Sequence, residues 1–137
     1  MILTFDVLPD MRLSTNARDK LDPLQRVRLT REAKEMWWGL ILEQVRRRPD
    51  FKAPWFNRAS LTYTLTFPDK RHRDGDNLLG ALKPITDVLG CPRSVRDAYK
   101  LWVILDDSTE YLRINPVQVR YEKGVSRTDI ELEEIRP

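Results

Sequence analysis

Histidine and cysteine are almost missing: 137 residues hold one of each, His72 and Cys91. A single cysteine excludes an intramolecular disulfide, and the pair excludes zinc sites built on thiolates or on two imidazoles. Long apolar runs are missing too. Nothing approaches the roughly 18–20 residues of a membrane span, so no membrane partner is expected. The opening "MILTFDVLPD" has an early aspartate and no basic n-region, unlike a signal peptide. A cytoplasmic protein is the expectation. Internal repeats and low-complexity tracts are likewise lacking.

What remains is well supplied with charge and with core-forming residues. Hydrophobic residues make up 41% of the chain, enough for one domain spanning 1–137. The 24 basic and 21 acidic residues give a net charge of only +3, but they are unevenly spread. Basic clusters sit at Arg46–Arg48, at Lys70–Arg73, and at Arg93, Arg96 and Lys100, while the closing "DIELEEI" is acidic. Such clusters either decorate solvated surface or meet a polyanion.

Periodicity predicts a strand over 2–8, where Leu3, Phe5 and Val7 alternate with Thr4 and Asp6. Residues 10–25 are polar and turn-rich and read as a long loop that includes Arg12 and Asn16. Thr30 is the expected N-cap of a helix whose apolar stripe runs from Ala33 to Val45 and ends at Pro49. Within it, the Trp37–Trp38 pair reads as core for one ring and a half-buried contact for the other, or as a dimer interface. "SLTYTLTF" is the clearest strand, with Leu61, Tyr63, Leu65 and Phe67 on one face. A second helix follows from about 74, closed by Gly90 and Pro92 and expected to bend near Gly80 because Pro84 lies four residues on. "LWVIL" (101–105) reads as a buried strand, and "VQVRYE" and "TDIELE" as a hairpin turning at "KGVS". The fold class expected is α+β, a single mixed β-sheet packed against two main helices.

The chemistry concentrates in "RHRDGDNLLGALKP", residues 71–84. Asp74 and Asp76 flank Gly75, which permits a bend that turns both to one side. Asp106 and Asp107 directly follow the apolar run 101–105. Strand ends and helix starts meet at sheet edges, where ligands bind. Carboxylates gathered there need a cation, and oxygen-only ligation suits Mg2+ or Mn2+. The competing reading is structural: Asp74 caps the helix, Asp76 favours its dipole, and "DDS" makes a turn.

"RHRDGDNLLGALKPITDVL", followed by "VILDDS", resembles the RusA family of Holliday-junction resolvases, which carry Asp-x-Asp-Asn before a helix and Asp-Asp after a strand. The opening strand, Asn16 and the "TREA" start of the first helix fit the same layout, over residues 1 to about 120. The resemblance implies a small homodimeric, Mg2+-dependent endonuclease, of phage or bacterial setting, that nicks four-way and other branched DNA. It implies Asp74, Asp76 and Asp107 as catalytic metal ligands, with Asp106 the alternative to its neighbour, and Asn77 as a brace at the helix start. Lys70, Arg71, Arg73 and Asn16 would then contact DNA, and His72 would be a phosphate contact or a plain surface residue. The family commonly has lysine where this chain has Gly80. Lys83, one turn on, is either the replacement for that charge or a solvated lysine. A catalytically weakened, junction-binding relative is the alternative.

Overall fold

The computed structural model describes residues 1–93 and 97–136. Its elements are β1 (Ile2–Phe5), a 3-10 turn (Met11–Leu13), α1 (Thr15–Arg18), α2 (Pro23–Arg46), β2 (Ala59–Phe67), α3 (Gly75–Leu89), β3 (Leu112–Ile114), β4 (Gln118–Tyr121) and β5 (Arg127–Glu134). The chain is α+β, with one mixed sheet of five strands. Among the described residues no helix is long and apolar enough to cross a membrane.

Strand β2 is the middle of the sheet. Along one edge it pairs antiparallel with β5, which in turn pairs antiparallel with β1. Along the other edge it pairs in parallel with β3 at residues 59–61 and with β4 at residues 64–67. Pro116 separates these two short strands because it has no amide to give the ladder. The gap is held instead by Asn115, whose backbone amide reaches Leu61 O and whose side chain reaches Thr62 Oγ1. Leu3, Leu61, Tyr63, Leu65, Ile130 and Leu132 form one fully buried face, covered by Trp37, Ile41 and Val45 of α2 and Leu82, Ile85 and Val88 of α3. Thr4, Thr62, Thr64, Asp129 and Glu131 lie on the opposite, partly exposed face. Trp37 is fully buried, edge-on to Phe5, while Trp38 is half-buried against Tyr99, which settles which ring of the pair is core.

Four local expectations are corrected. The segment 10–25 is not one long loop: it holds the 3-10 turn, α1 and the start of α2. Helix α2 begins at Pro23 rather than at Thr30. Asp22 caps it by accepting from the Gln25 amide, with proline in the first turn, and Leu24 and Val27 on that early stretch are exposed, which hid it from the apolar pattern. Residues 101–105 form no strand beyond a single bridge from Ile104 to Phe56. The amides of Leu101, Trp102, Val103 and Ile104 bond to the carbonyls of Val88, Gly90 and Leu89, so this apolar run caps the C-terminal end of α3. Trp102 is in the left-handed region, with φ of 54°. Finally, 118–121 and 127–134 are both strands, joined through a turn at Gly124 with φ of 74°, but they are not a paired hairpin. They lie on opposite edges of β2.

Helix α3 runs through Pro84 without interruption. Gly80 serves a close approach: a Cβ there would stand 2.6 Å from Thr15 N and 2.7 Å from Leu13 O. Glycine in a helix costs about 1 kcal/mol relative to alanine, whereas overpacking against backbone costs about 1–3 kcal/mol, so contact outweighs propensity here. Gly80→Ala should therefore destabilise by roughly 1–2 kcal/mol in denaturant unfolding, the reverse of the usual helix substitution. Asp22→Ala should cost about 1 kcal/mol, while Thr30→Ala should cost little, since Thr30 caps nothing.

Candidate functional site

The unit β2–α3–β3/β4 is a parallel crossover, and its carboxyl edge is where a parallel sheet offers ligands a place. The loop 68–74 leaves the end of β2 and delivers Asp74 to the start of α3. Asp74 caps that helix, its Oδ1 accepting from the Asp76 amide at 3.0 Å. Asp76 follows in the first turn, where the helix dipole favours a negative charge. Both side chains are exposed, and neither is in an ion pair among the described residues. One oxygen of Asp74 is thus committed to capping.

Three hydrogen bonds lash the start of α1 to this first turn. Asn77 Oδ1 accepts from the Asn16 amide at 2.8 Å, Thr15 Oγ1 donates to Asp76 O at 3.4 Å, and the Gly80 amide donates to Thr15 Oγ1 at 3.2 Å. Asn77 is the brace expected from the sequence. The exposed Asn16 stands next to the aspartates through the same contacts. On the other side, Val117 of the β3–β4 connection closes on Gly75, its carbonyl 3.4 Å from where a Cβ would be.

The second acidic pair does not join the first. Asp107 packs at the opposite end of α3, its Cγ 3.5 Å from where a Cβ on Gly90 would lie. Asp76 and Gly90 are fourteen positions apart on that helix, about 20 Å at 1.5 Å per residue. Asp106 is held by Arg93 at 2.7 Å, and Arg93 also reaches Asp107 at 3.9 Å. Burial pushes the Asp106 carboxyl up, but the Arg93 and Ser108 hydrogen bonds outweigh it and hold the group below the usual carboxylate range. The expected set of four converging carboxylates is therefore not assembled. Among the described residues no three Asp, Glu, His or Cys side chains are grouped to hold a metal. The reason is the run 101–105, which stays at the helix C-terminus instead of returning along α3 as a strand.

Lys83 shares a groove beside α3 with Asp87 and Asp107. Its ammonium lies 4.0 Å from Asp87 Oδ1, and Asp87 also pairs with Lys34 of α2 at 3.4 Å. A side chain at position 80 has no room here, since Leu13 and Thr15 occupy the space beyond Gly80.

The basic residues divide into structural and exposed. Arg73 is folded inward: it pairs with Asp69 at 2.6 Å, donates to the carbonyls of Asp69 and Arg71, and stacks over Phe67 at 3.8 Å. Its side chain is only 16% exposed, and it lines the inner wall of the groove described next. Lys70 lies over Tyr121 at 5.3 Å, while Arg71 and His72 are exposed. Arg120 of β4, which the sequence did not single out, joins Lys70 and Arg71 around an open groove of about 290 Å3. Its only signal was alternation along a strand. Arg96 lies outside the described residues.

No protein-family model matches the chain, and no curated protein matches it.

The Arg73 bond holds the Asp69 carboxyl below its ordinary value of 3.8. Because the folded-state value is the lower one, the stabilisation is complete above the unfolded value and is lost as pH falls through the folded one. Asp69→Asn should thus lower Tm at pH 7, and the difference from wild type should close below about pH 3.8. Thermal melts across pH 2–7 check this.

Proposed function

We propose that the chain is a DNA endonuclease of the RusA type, acting on branched DNA as a homodimer and dependent on Mg2+ or Mn2+. The observation that carries the reading is the exposed, unpaired Asp74–Asp76 couple at the carboxyl edge of the parallel unit, beside the groove of Lys70, Arg71 and Arg120. Mg2+ is commonly held by one or two carboxylates together with substrate phosphates, so these two side chains fit it without a full protein cage. When bound, the ion supplies charge stabilisation and an acidified water for phosphodiester hydrolysis. The chain's own residues do the positioning. Asn77, Asn16 and Thr15 fix the first turn of α3, and Arg73 fixes the loop that delivers Asp74. Lys70, Arg71 and Arg120 present positive charge to the flanking phosphates, and the exposed His72 and Asn16 border the same edge. A four-way junction has approximate twofold symmetry and needs two incisions, which favours two copies of this domain.

A second reading, a junction-binding relative with weakened catalysis, is favoured by a separate observation. Asp107 lies at the far end of α3, and Gly80 replaces a lysine for which the fold leaves no space.

A labelled four-way junction incubated with Mg2+, and with EDTA, tests both. Symmetric nicks only with metal are expected, and Asp74→Asn and Asp76→Asn should abolish them while binding in EDTA persists. Binding without nicking by the wild type would favour the second reading. Asp107→Asn should cut nearly as well as wild type if the aspartate couple alone holds the metal; loss of cutting in a folded variant would return Asp107 to the site. Arg71→Ala should make the dependence of log affinity on log salt shallower by about one contact.

A further inference from the structure

A second basic site lies away from the aspartates, in the cleft where α1, α2 and α3 meet. A cavity of about 160 Å3 is lined by Arg18, Arg26, Thr30, Lys34, Lys83 and Asp87, among others, with Leu13, Gly80 and Pro84 completing the wall. Arg26, Thr30 and Lys34 are four residues apart on α2 and so form one column facing the cleft. Gly80, Lys83 and Asp87 make the facing column on α3. Four cations against one carboxylate give a strongly positive lining. Asp87 engages the two lysines, at 3.4 and 4.0 Å. Arg18 and Arg26 have no carboxylate partner among the described residues.

Cations brought together in this way repel one another unless an anion sits between them, and a tight helix pair does not need them for packing. The planar guanidinium fork donates two parallel hydrogen bonds to an oxyanion, and phosphate is a usual partner. The cavity, at about 160 Å3, has room for a phosphate group. It also opens into a shallower groove bearing Arg26, Arg31 and Lys34, which gives a continuous basic track along α2.

The geometry points to this cleft as a phosphate-binding site for the DNA backbone, holding a segment of duplex at a distance from the aspartate couple. The assignment rests on the reading of the chain as a DNA-binding protein, but not on its cutting DNA. Gly80 contributes directly: without a side chain it lets Leu13 and Thr15 approach, which brings the segment carrying Arg18 up to the α2–α3 groove.

The test is the affinity of full-length protein for junction and duplex DNA in EDTA, measured by fluorescence anisotropy from 50 to 300 mM NaCl. Arg18→Ala and Arg26→Ala, confirmed as folded by unchanged melting, should each reduce the slope of log K against log salt by about one, and the double variant by about two. Arg26→Lys should restore most of the slope. Asp87→Asn, which removes the one negative charge of the lining, should bind DNA more tightly. Inorganic phosphate should raise the wild-type Tm above equal ionic strength of NaCl, and the double variant should not respond. Unchanged slopes in folded Arg18→Ala and Arg26→Ala, with no Tm response to phosphate, would overturn the site, whether or not the wild type nicks junctions. Slope loss in a protein that never nicks would leave the cleft standing and overturn only the endonuclease reading. A Tm response to phosphate with no change in any DNA slope would identify a free phosphate ligand and overturn the DNA assignment.

Discussion

Strand β2 is bonded along both edges and sealed on one face, and the placement of almost every candidate residue follows from that. Leu61, Tyr63 and Leu65 are fully buried beneath α2 and α3. Tyr63 also anchors α3 through a 2.7 Å hydrogen bond between its hydroxyl and Thr86 Oγ1, and burial pushes that hydroxyl's pKa up, so it stays neutral. With both ladders and one face satisfied, neither β2 nor α3 can slide, because a one-residue slip would turn the buried side chains outward. The loop 68–74 is short and spans two fixed ends. Asp74 and Asp76 therefore occupy a defined edge, directly after Arg73, which lines the groove with Val119, Arg120 and Tyr121 of β4.

Helix α3 then acts as a ruler. Its first turn holds one acidic pair and its last turn faces the other, and a rigid helix does not shorten. The two pairs would meet only if the chain after Gly90 ran back along the helix as a strand. In this fold that chain is used otherwise, supplying four amides to carbonyls at the helix end. Buried carbonyls without partners are costly, so this capping competes directly with strand formation. Trp102 accepts a left-handed backbone, a conformation that costs a non-glycine residue about 1–2 kcal/mol, within the same arrangement.

Charge is distributed with similar economy of space. Basic residues close to the aspartates are of two kinds: Arg73, consumed in holding its own loop, and Lys70, Arg71 and Arg120, open to solvent. A second group between α2 and α3 is drawn together by helix packing, with Asp87 in contact with a lysine from each helix. In a sequence all these side chains look alike. Solvent exposure and the presence of a carboxylate partner distinguish them, and both arise from packing.

The sequence by itself determined the elements whose signal is local. Alternation in "SLTYTLTF" and "TDIELE" is a property of the strand, and the apolar stripe from Ala33 to Val45 is a property of the helix, so both were legible. So were the capping capacity of Asp74 and the brace at Asn77, since each follows from a side chain and its nearest neighbours. Tertiary structure decided everything that depends on which segments lie side by side. Alternation shows which face of a strand is buried but not which strand is its neighbour, so 118–121 and 127–134 looked like a hairpin and instead flank β2. An apolar run of five residues records burial without recording the destination of its amides, so 101–105 looked like a strand and instead caps α3. The aspartates obey the same division: Asp74 and Asp76 share one helical turn, which spacing alone could set, whereas the approach of Asp106 and Asp107 required a chain path that hydrogen bonding at the end of α3 directed elsewhere.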